Sequence, residues 1–201
     1  MISMYLRHST VLFTFLIYFF LGNLVSQAQV VSVEKIKFSS MKNNWLLGEI
    51  EILTDRNPLP DAVSDQFVEN VFLRLYLGFE NKELPGGIDY FYSSAKIMIL
   101  EKGDRNIVRF FIPDKVMKVH RYRLPQFYYA EVVVGDSAQK MNAKSFSSNF
   151  RSRESLNNFM QKTRQGMSRN YGKLIPSYIA PISVRGSDPN APIYLIDFNL
   201  N

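Results

Sequence analysis

The chain has 201 residues, 46% of them hydrophobic, and its 24 Lys and Arg against 18 Asp and Glu leave a net charge of +6. So small and dispersed an excess argues against a nucleic-acid partner and suits a soluble protein. The complete absence of cysteine excludes a disulfide-stapled extracellular module and a lipoprotein of the usual kind. No Asn-x-Ser/Thr acceptor occurs either, so a bacterial envelope protein fits better than a eukaryotic secreted one.

Residues 1–28 read as a cleaved signal peptide. Arg7 and His8 make a short basic start, Val11 to Leu21 an apolar run, and Ser26-Gln27-Ala28 the small-residue pattern that a signal peptidase reads. Cleavage is expected between Ala28 and Gln29. The competing reading is an uncleaved anchor, which needs about 20 apolar residues. Gly22 and Asn23 interrupt the run before that length. The expected domain is residues 29–201, a single unit of about 170 residues that can bury roughly 70% of its unfolded surface. The protein is expected to be exported, to the periplasm, the cell surface or the exterior, with no stable membrane span after cleavage.

Val30 to Phe38 is the first strand. Its apolar positions change phase between Val31/Val33 and Ile36/Phe38, which predicts a bulge or a weakly held edge. After a turn at Ser39–Asn44, Trp45 to Leu53 sets Leu46, Gly48, Ile50 and Ile52 on one face and Glu49 and Glu51 on the other. Trp45 reads as a core or rim aromatic. Pro58 and Pro60 make Thr54 to Gln66 a loop. Phe67 to Glu80 alternates most clearly. Val71, Leu73, Leu75, Leu77 and Phe79 should be buried, and the face with Phe72, Arg74 and Tyr76 largely solvated. Phe72 and Tyr76 are expected to pair across strands.

A turn on Pro85-Gly86-Gly87 leads to Tyr90-Phe91-Tyr92 and to a strand with Ala95, Ile97 and Ile99 facing one way. Glu101 to Asp104 reads as a hairpin turn into Asn106–Ile112, closing a meander. Asp114 to Arg123 has an apolar seam at Val116, Met117 and Val119, which predicts a short helical turn crossing between two sheets. Phe127 to Val134 is another strand, Asp136 to Lys144 is turn-like, and Ser145 to Phe150 is a further strand candidate. A helix is expected over 152–171. Leu156, Phe159, Met160, Thr163 and Met167 recur at helical spacing, Ser152 is placed as N-cap and Gly172 as the stop. Residues 174–201 carry four prolines and read as extended, with a last strand at Ile193–Leu200. Seven to nine short strands and one helix predict a mainly β fold, an antiparallel β-sandwich with one helix in the C-terminal half.

Visible chemistry is sparse. His120 is the only histidine after the leader, and one histidine without cysteine cannot build a usual zinc site. No Gly-x-Ser-x-Gly elbow supports a triad, and no Gly-rich phosphate loop is present. Asp55, Asp61 and Asp65 do not follow a calcium loop. Glu49 and Glu51 fit a solvated face better than an acid–base pair. No catalytic, cofactor-binding or metal-binding residue is assigned, and no enzymatic activity is expected. Arg151, Arg153, Lys162, Arg164, Arg169 and Lys173 gather around the helix against a single acid, Glu154. That pattern reads as a solvated helix face or as a basic surface for an anionic partner. The clusters Tyr90-Phe91-Tyr92 and Phe127-Tyr128-Tyr129 read as core and rim aromatics, or as the lining of a glycan site.

Trp45-Leu-Leu-Gly-Glu-Ile-Glu-Ile52, Asn57-Pro58, Phe67-Val68 through Phe79-Glu80, Phe91-Tyr-Ser-Ser94, Val108-Arg-Phe-Phe-Ile-Pro113 and Phe127-Tyr-Tyr129 together resemble a small bacterial family. These are the pilus-like immunoglobulin-fold proteins encoded in a type IV pilus-like gene cluster. The resemblance covers roughly Trp45 to Gly135. It implies an immunoglobulin-like sandwich and protein partners in an envelope or pilus-like assembly, and it transfers no functional residue. The leader departs from that of a type IV pilin, whose apolar segment is kept as the assembly helix. Three functions stay open on these grounds: a non-catalytic interaction protein, a secreted glycan-binding module, and a hydrolase with an unrecognised site near His120.

Overall fold

The longest strands of the computed structural model, which describes residues 31–57, 62 and 64–196, are the two arms of one hairpin. These are β3 (Phe67–Glu80) and β4 (Ile88–Glu101). The expected signal peptide, its cleavage site, Asp61 and the end of the expected last strand lie outside the described residues.

Two antiparallel sheets face each other. One has the order β1 (Val31–Ser40), β2 (Leu46–Thr54), β5 (Arg105–Ile112), β8 (Ile175–Pro176). The other runs β7 (Ser137–Ala138), β6 (Phe127–Val134), β3, β4, β9 (Ile193–Tyr194). With β1, β2 and β5 in one layer and β7, β6, β3 and β4 in the other, the connectivity is that of an immunoglobulin-like sandwich. The fourth strand stays beside β3. The inner faces are built by alternation. Ile50, Ile52, Val108 and Phe110 from one sheet meet Leu73, Leu75, Leu77, Ile97 and Val132 from the other in one core. Each such side chain contributes roughly 1.5–3 kcal/mol on burial.

The phase change in β1 is a real irregularity, a register shift between Val33 and Lys35. A second irregularity was not anticipated. Asn70 has φ 54° and drops out of the β3–β4 ladder between Glu69↔Ile99 and Val71↔Ile97, with the register the same on both sides. The inward phase therefore switches, and Leu100 rather than Ile99 is fully buried with Val68. The turn at Glu101–Asp104 is not a hairpin. It uses Gly103 at φ 82° and hands the chain from β4 to β5 in the other sheet. The same turn chemistry serves either connection, so local sequence does not distinguish them.

Both outer faces are partly covered. Helix α1 (Asp114–Val119) crosses between the sheets as expected. Helix α2 (Arg153–Gln165) lies on the outer face of the β6-β3-β4 sheet. Ser152 caps it: Ser155 N donates to Ser152 Oγ at 3.1 Å and Ser152 N donates to Ser155 Oγ at 3.2 Å. The helix ends at Gly166, well before Gly172, and residues 166–173 continue as turns. Under it, Leu156 and Phe159 pack with Tyr76, Tyr129, Tyr92 and Phe127 as a second core. Tyr76 is thus fully buried, which corrects the expected solvated face. Its pairing across strands is as expected, against Tyr92 (5.0 Å) and Tyr129 (5.7 Å). On the other outer face, Phe111 packs with Trp45, Leu47, Ala180 and Val184, the last from a short helix α3 (Ile182–Arg185) that the sequence reading lacks. Ser145 to Phe150 is not a strand. It covers the edge of β6 through one bridge, Phe146 to Tyr129, and two backbone bonds.

Candidate functional site

The strand directions put three connections at one end of the sandwich: the β1–β2 turn, the β3–β4 turn, and the segment from Pro113 to Gln126 that carries α1. Pro113 precedes the helix, Asp114 sits in its first turn, and Lys118 Nζ donates to Asp114 Oδ2 at 3.2 Å one turn on. The helix closes with Tyr122 N on Met117 O (2.9 Å) and Arg121 N on Lys118 O (3.1 Å). That pair of bonds is the Schellman pattern, and it puts Arg121 at the left-handed position with φ 53°. Glycine is the usual occupant there. An arginine costs roughly 1–2 kcal/mol, so this strain is a local outlier.

Tyr122 fixes the segment to the sandwich. Its ring stacks on Phe79 (4.8 Å) and meets Phe91 edge-on (5.9 Å). Its hydroxyl donates to Asp89 Oδ2 at 2.5 Å and accepts from Asn81 Nδ2 at 3.1 Å. Asp89, itself buried, also accepts from Asn170 Nδ2 at 2.6 Å and has Arg169 Nε at 3.9 Å. Burial, followed by the Asp89 contact, raises the Tyr122 hydroxyl above the ordinary tyrosine range, so it stays a donor at any physiological pH. On this anchored base lies an open groove of about 540 Å³, with Met117 and Tyr122 as floor and Lys118, Arg121, Arg123 and Leu124 around it. Val119 (75% exposed) and Leu124 (47%) present apolar surface beside these cations. Among the described residues neither Arg121 nor Arg123 has an ion-pair partner. His120 is half-buried and stacks on Tyr122 at 5.1 Å. It is packed as part of the segment, with no carboxylate or hydroxyl partner for a triad among the described residues.

The other candidates go elsewhere. Glu49 and Glu51 are cross-strand ion-pair partners. Arg109 Nε lies 3.0 Å from Glu49, and Arg105 Nε lies 2.7 Å from Glu51. Arg109 also pairs with Asp188, holding the C-terminal segment on the sheet. Half of the basic helix cluster is spent inward. Arg164 donates to the Tyr76 hydroxyl at 3.1 Å, and Tyr76 donates to the buried carboxylate of Glu131 at 3.1 Å, which also takes Arg74 at 3.2 Å. Arg169 and Lys173 face Asp89 and Asn170, while Arg151, Arg153 and Lys162 remain at the surface. The aromatic clusters offered for a glycan are mostly packing groups. Phe91 and Tyr129 are buried, and Tyr90, Tyr92 and Phe127 press against α2. Among the described residues no three acidic or histidine side chains gather as a metal site, and no helix is long and apolar enough to cross a membrane.

No family model and no curated protein matches the chain. Among solved structures it is similar to a crystal structure from Akkermansia muciniphila, with a TM-score of 0.61 over 84% of this chain and 94% of that one, at 15% identity. That likeness concerns the fold, a two-sheet sandwich.

Proposed function

We propose that this chain is an exported, non-catalytic interaction protein of the bacterial envelope, acting through the α1 end of its sandwich in association with a type IV pilus-like assembly. The observation that supports the reading is the anchored groove beneath Arg121 and Arg123. Two exposed arginines without ion-pair partners among the described residues stand with exposed Val119 and Leu124 on a segment that Tyr122 fixes to the sandwich, a mixture of charge and apolar surface that suits a protein partner. The resemblance over Trp45–Gly135 supplies the assembly. The test is in-cell cross-linking followed by capture of the protein from envelope extracts, with the Arg121→Glu/Arg123→Glu variant beside it. Recovery of a pilus-like or secretion component with the native chain, and its loss with the variant, is the expected result. Capture that yields no such component refutes the reading.

A further inference from the structure

The sandwich is electrically polar from end to end. Strand β3 alone spans about 40 Å at roughly 3.3 Å per residue, so the two sets of connections lie that far apart. At the α1 end, the exposed cations are Lys42, Lys82, Lys115, Lys118, Arg121 and Arg123, against Glu80, Glu83 and Asp114, of which Asp114 is already paired to Lys118. At the opposite end, the exposed carboxylates are Asp55, Asp65, Glu69, Glu101, Asp104 and Asp136. They face Arg56, Lys102 and Arg105, of which Arg105 is paired to Glu51. Sequence position hides this sorting, because each set comes from separate connections that only the topology gathers.

Apolar surface matches the charge at both ends. Leu124 lines the basic groove, and Val119 is exposed next to Lys118 in the chain. At the acidic end Phe67 (40% exposed) and Ile193 (60%) flank a second groove of about 430 Å³, lined also by Glu101 and Asp104. Each end thus offers exposed apolar side chains beside an excess of one sign of charge, Arg105 in the acidic groove being paired to Glu51, and the two excesses are opposite.

We infer that the occupant of the basic groove is the acidic end of a second copy of this chain, so that copies associate head to tail. This rests on reading the α1 end as an interaction surface. A contact between two different patches is heterologous, and unless its rotation closes a ring it repeats without limit. The charges steer the encounter and fix its polarity, and the apolar pairs supply the part that salt does not screen.

The test is sedimentation of the purified protein over a concentration series at about 0.01 M and about 1 M salt, where the Debye length falls from about 30 Å to about 3 Å. Self-association at low salt should weaken at least ten-fold at high salt. Arg121→Glu/Arg123→Glu and Glu101→Lys/Asp104→Lys should each weaken it at least ten-fold. An equimolar mixture of the two should associate more strongly than either alone, because each then meets an end of opposite sign. All four positions are exposed, so both variants should melt with the wild type. Should a reversal disturb the fold, Arg121→Gln/Arg123→Gln carries the same test. The inference is overturned by a wild type that stays monomeric to about 1 mM at low salt. It is equally overturned by association that salt and both reversals leave unchanged, or by a mixture no stronger than its components. Failure here leaves the envelope-partner reading to its own cross-linking test.

Discussion

Gly78→Ala is the sharpest probe of how α2 sits on the sheet. A methyl group at position 78 would stand 2.9 Å from Phe159 Cε2, 3.2 Å from Ile88 Cγ2 and 3.3 Å from Phe127 Cβ. These atoms belong to α2, β4 and β6, so the cell is closed from three sides. The Phe159 ring cannot retreat, because Phe150 (5.1 Å), Tyr90 (5.8 Å) and Phe127 (6.2 Å) surround it. Replacing glycine by alanine gains roughly 0.4–1 kcal/mol through a less flexible unfolded chain. Overpacking costs roughly 1–3 kcal/mol. The clash wins, and the net loss is about 1–2 kcal/mol, or about 2–8 °C in Tm for a domain of this size. Thermal unfolding followed by circular dichroism measures it, together with the same substitution in a Phe159→Leu background. Without the ring edge the alanine should cost about 1 kcal/mol less. A Tm that rises, or an equal cost in both backgrounds, refutes the packing argument.

Asp89→Ala should cost roughly 3–5 kcal/mol in denaturant unfolding, because it leaves the Tyr122 hydroxyl without its buried acceptor and the Asn170 amide with the Tyr90 carbonyl alone. A loss under about 1 kcal/mol would show the network to be incidental. Ser152→Ala should cost about 1 kcal/mol by removing the cap acceptor for Ser155 N, read as a lower Tm. An unchanged Tm would mean the helix start is held by packing alone. Burial pushes the Tyr76 hydroxyl up to about 12, and burial likewise raises Tyr122 and Tyr129. The folded state holds these protons more tightly than the unfolded chain, so their stabilisation is complete below about pH 10 and is lost as pH climbs through about 12. Tyr76→Phe should make that alkaline decline shallower in pH-dependent unfolding, and a decline of unchanged slope refutes the assignment.

Much of the sandwich was legible because alternation is local. Ile50 and Ile52 against Glu49 and Glu51, or Leu73 to Phe79 in β3, declare their inner face within a few residues. The bulge in β1 was legible for the same reason. What stayed hidden depends on distant segments. Tyr76 reads as exposed until α2 covers it, and Arg164, its partner there, lies 88 positions away. The helix stop reads as Gly172 because the apolar spacing runs on to Met167, whereas Gly166 is already the C-cap. The left-handed Asn70 carries no pattern of its own, so Leu100 exchanged places with Ile99. The candidate site was half visible. The basic crossover with His120 stood out by composition, but the acids at the far end are scattered along the sequence from Asp55 to Asp136. Only strand order brings them to one place.

The three strands that α2 covers, β6, β3 and β4, all precede it in the chain. Synthesis delivers the N-terminal end first, so β3, β4 and β6 can pair while residues 153–165 are still to come. During that interval Tyr76, Tyr92, Tyr129 and Phe127 stand on an open face, wet and adhesive. The last quarter of the chain therefore decides whether the strands before it stay in solution. A chain ending before Ser152 is expected to aggregate, because Tyr76, Tyr92 and Phe127 lose Leu156 and Phe159 from their cluster.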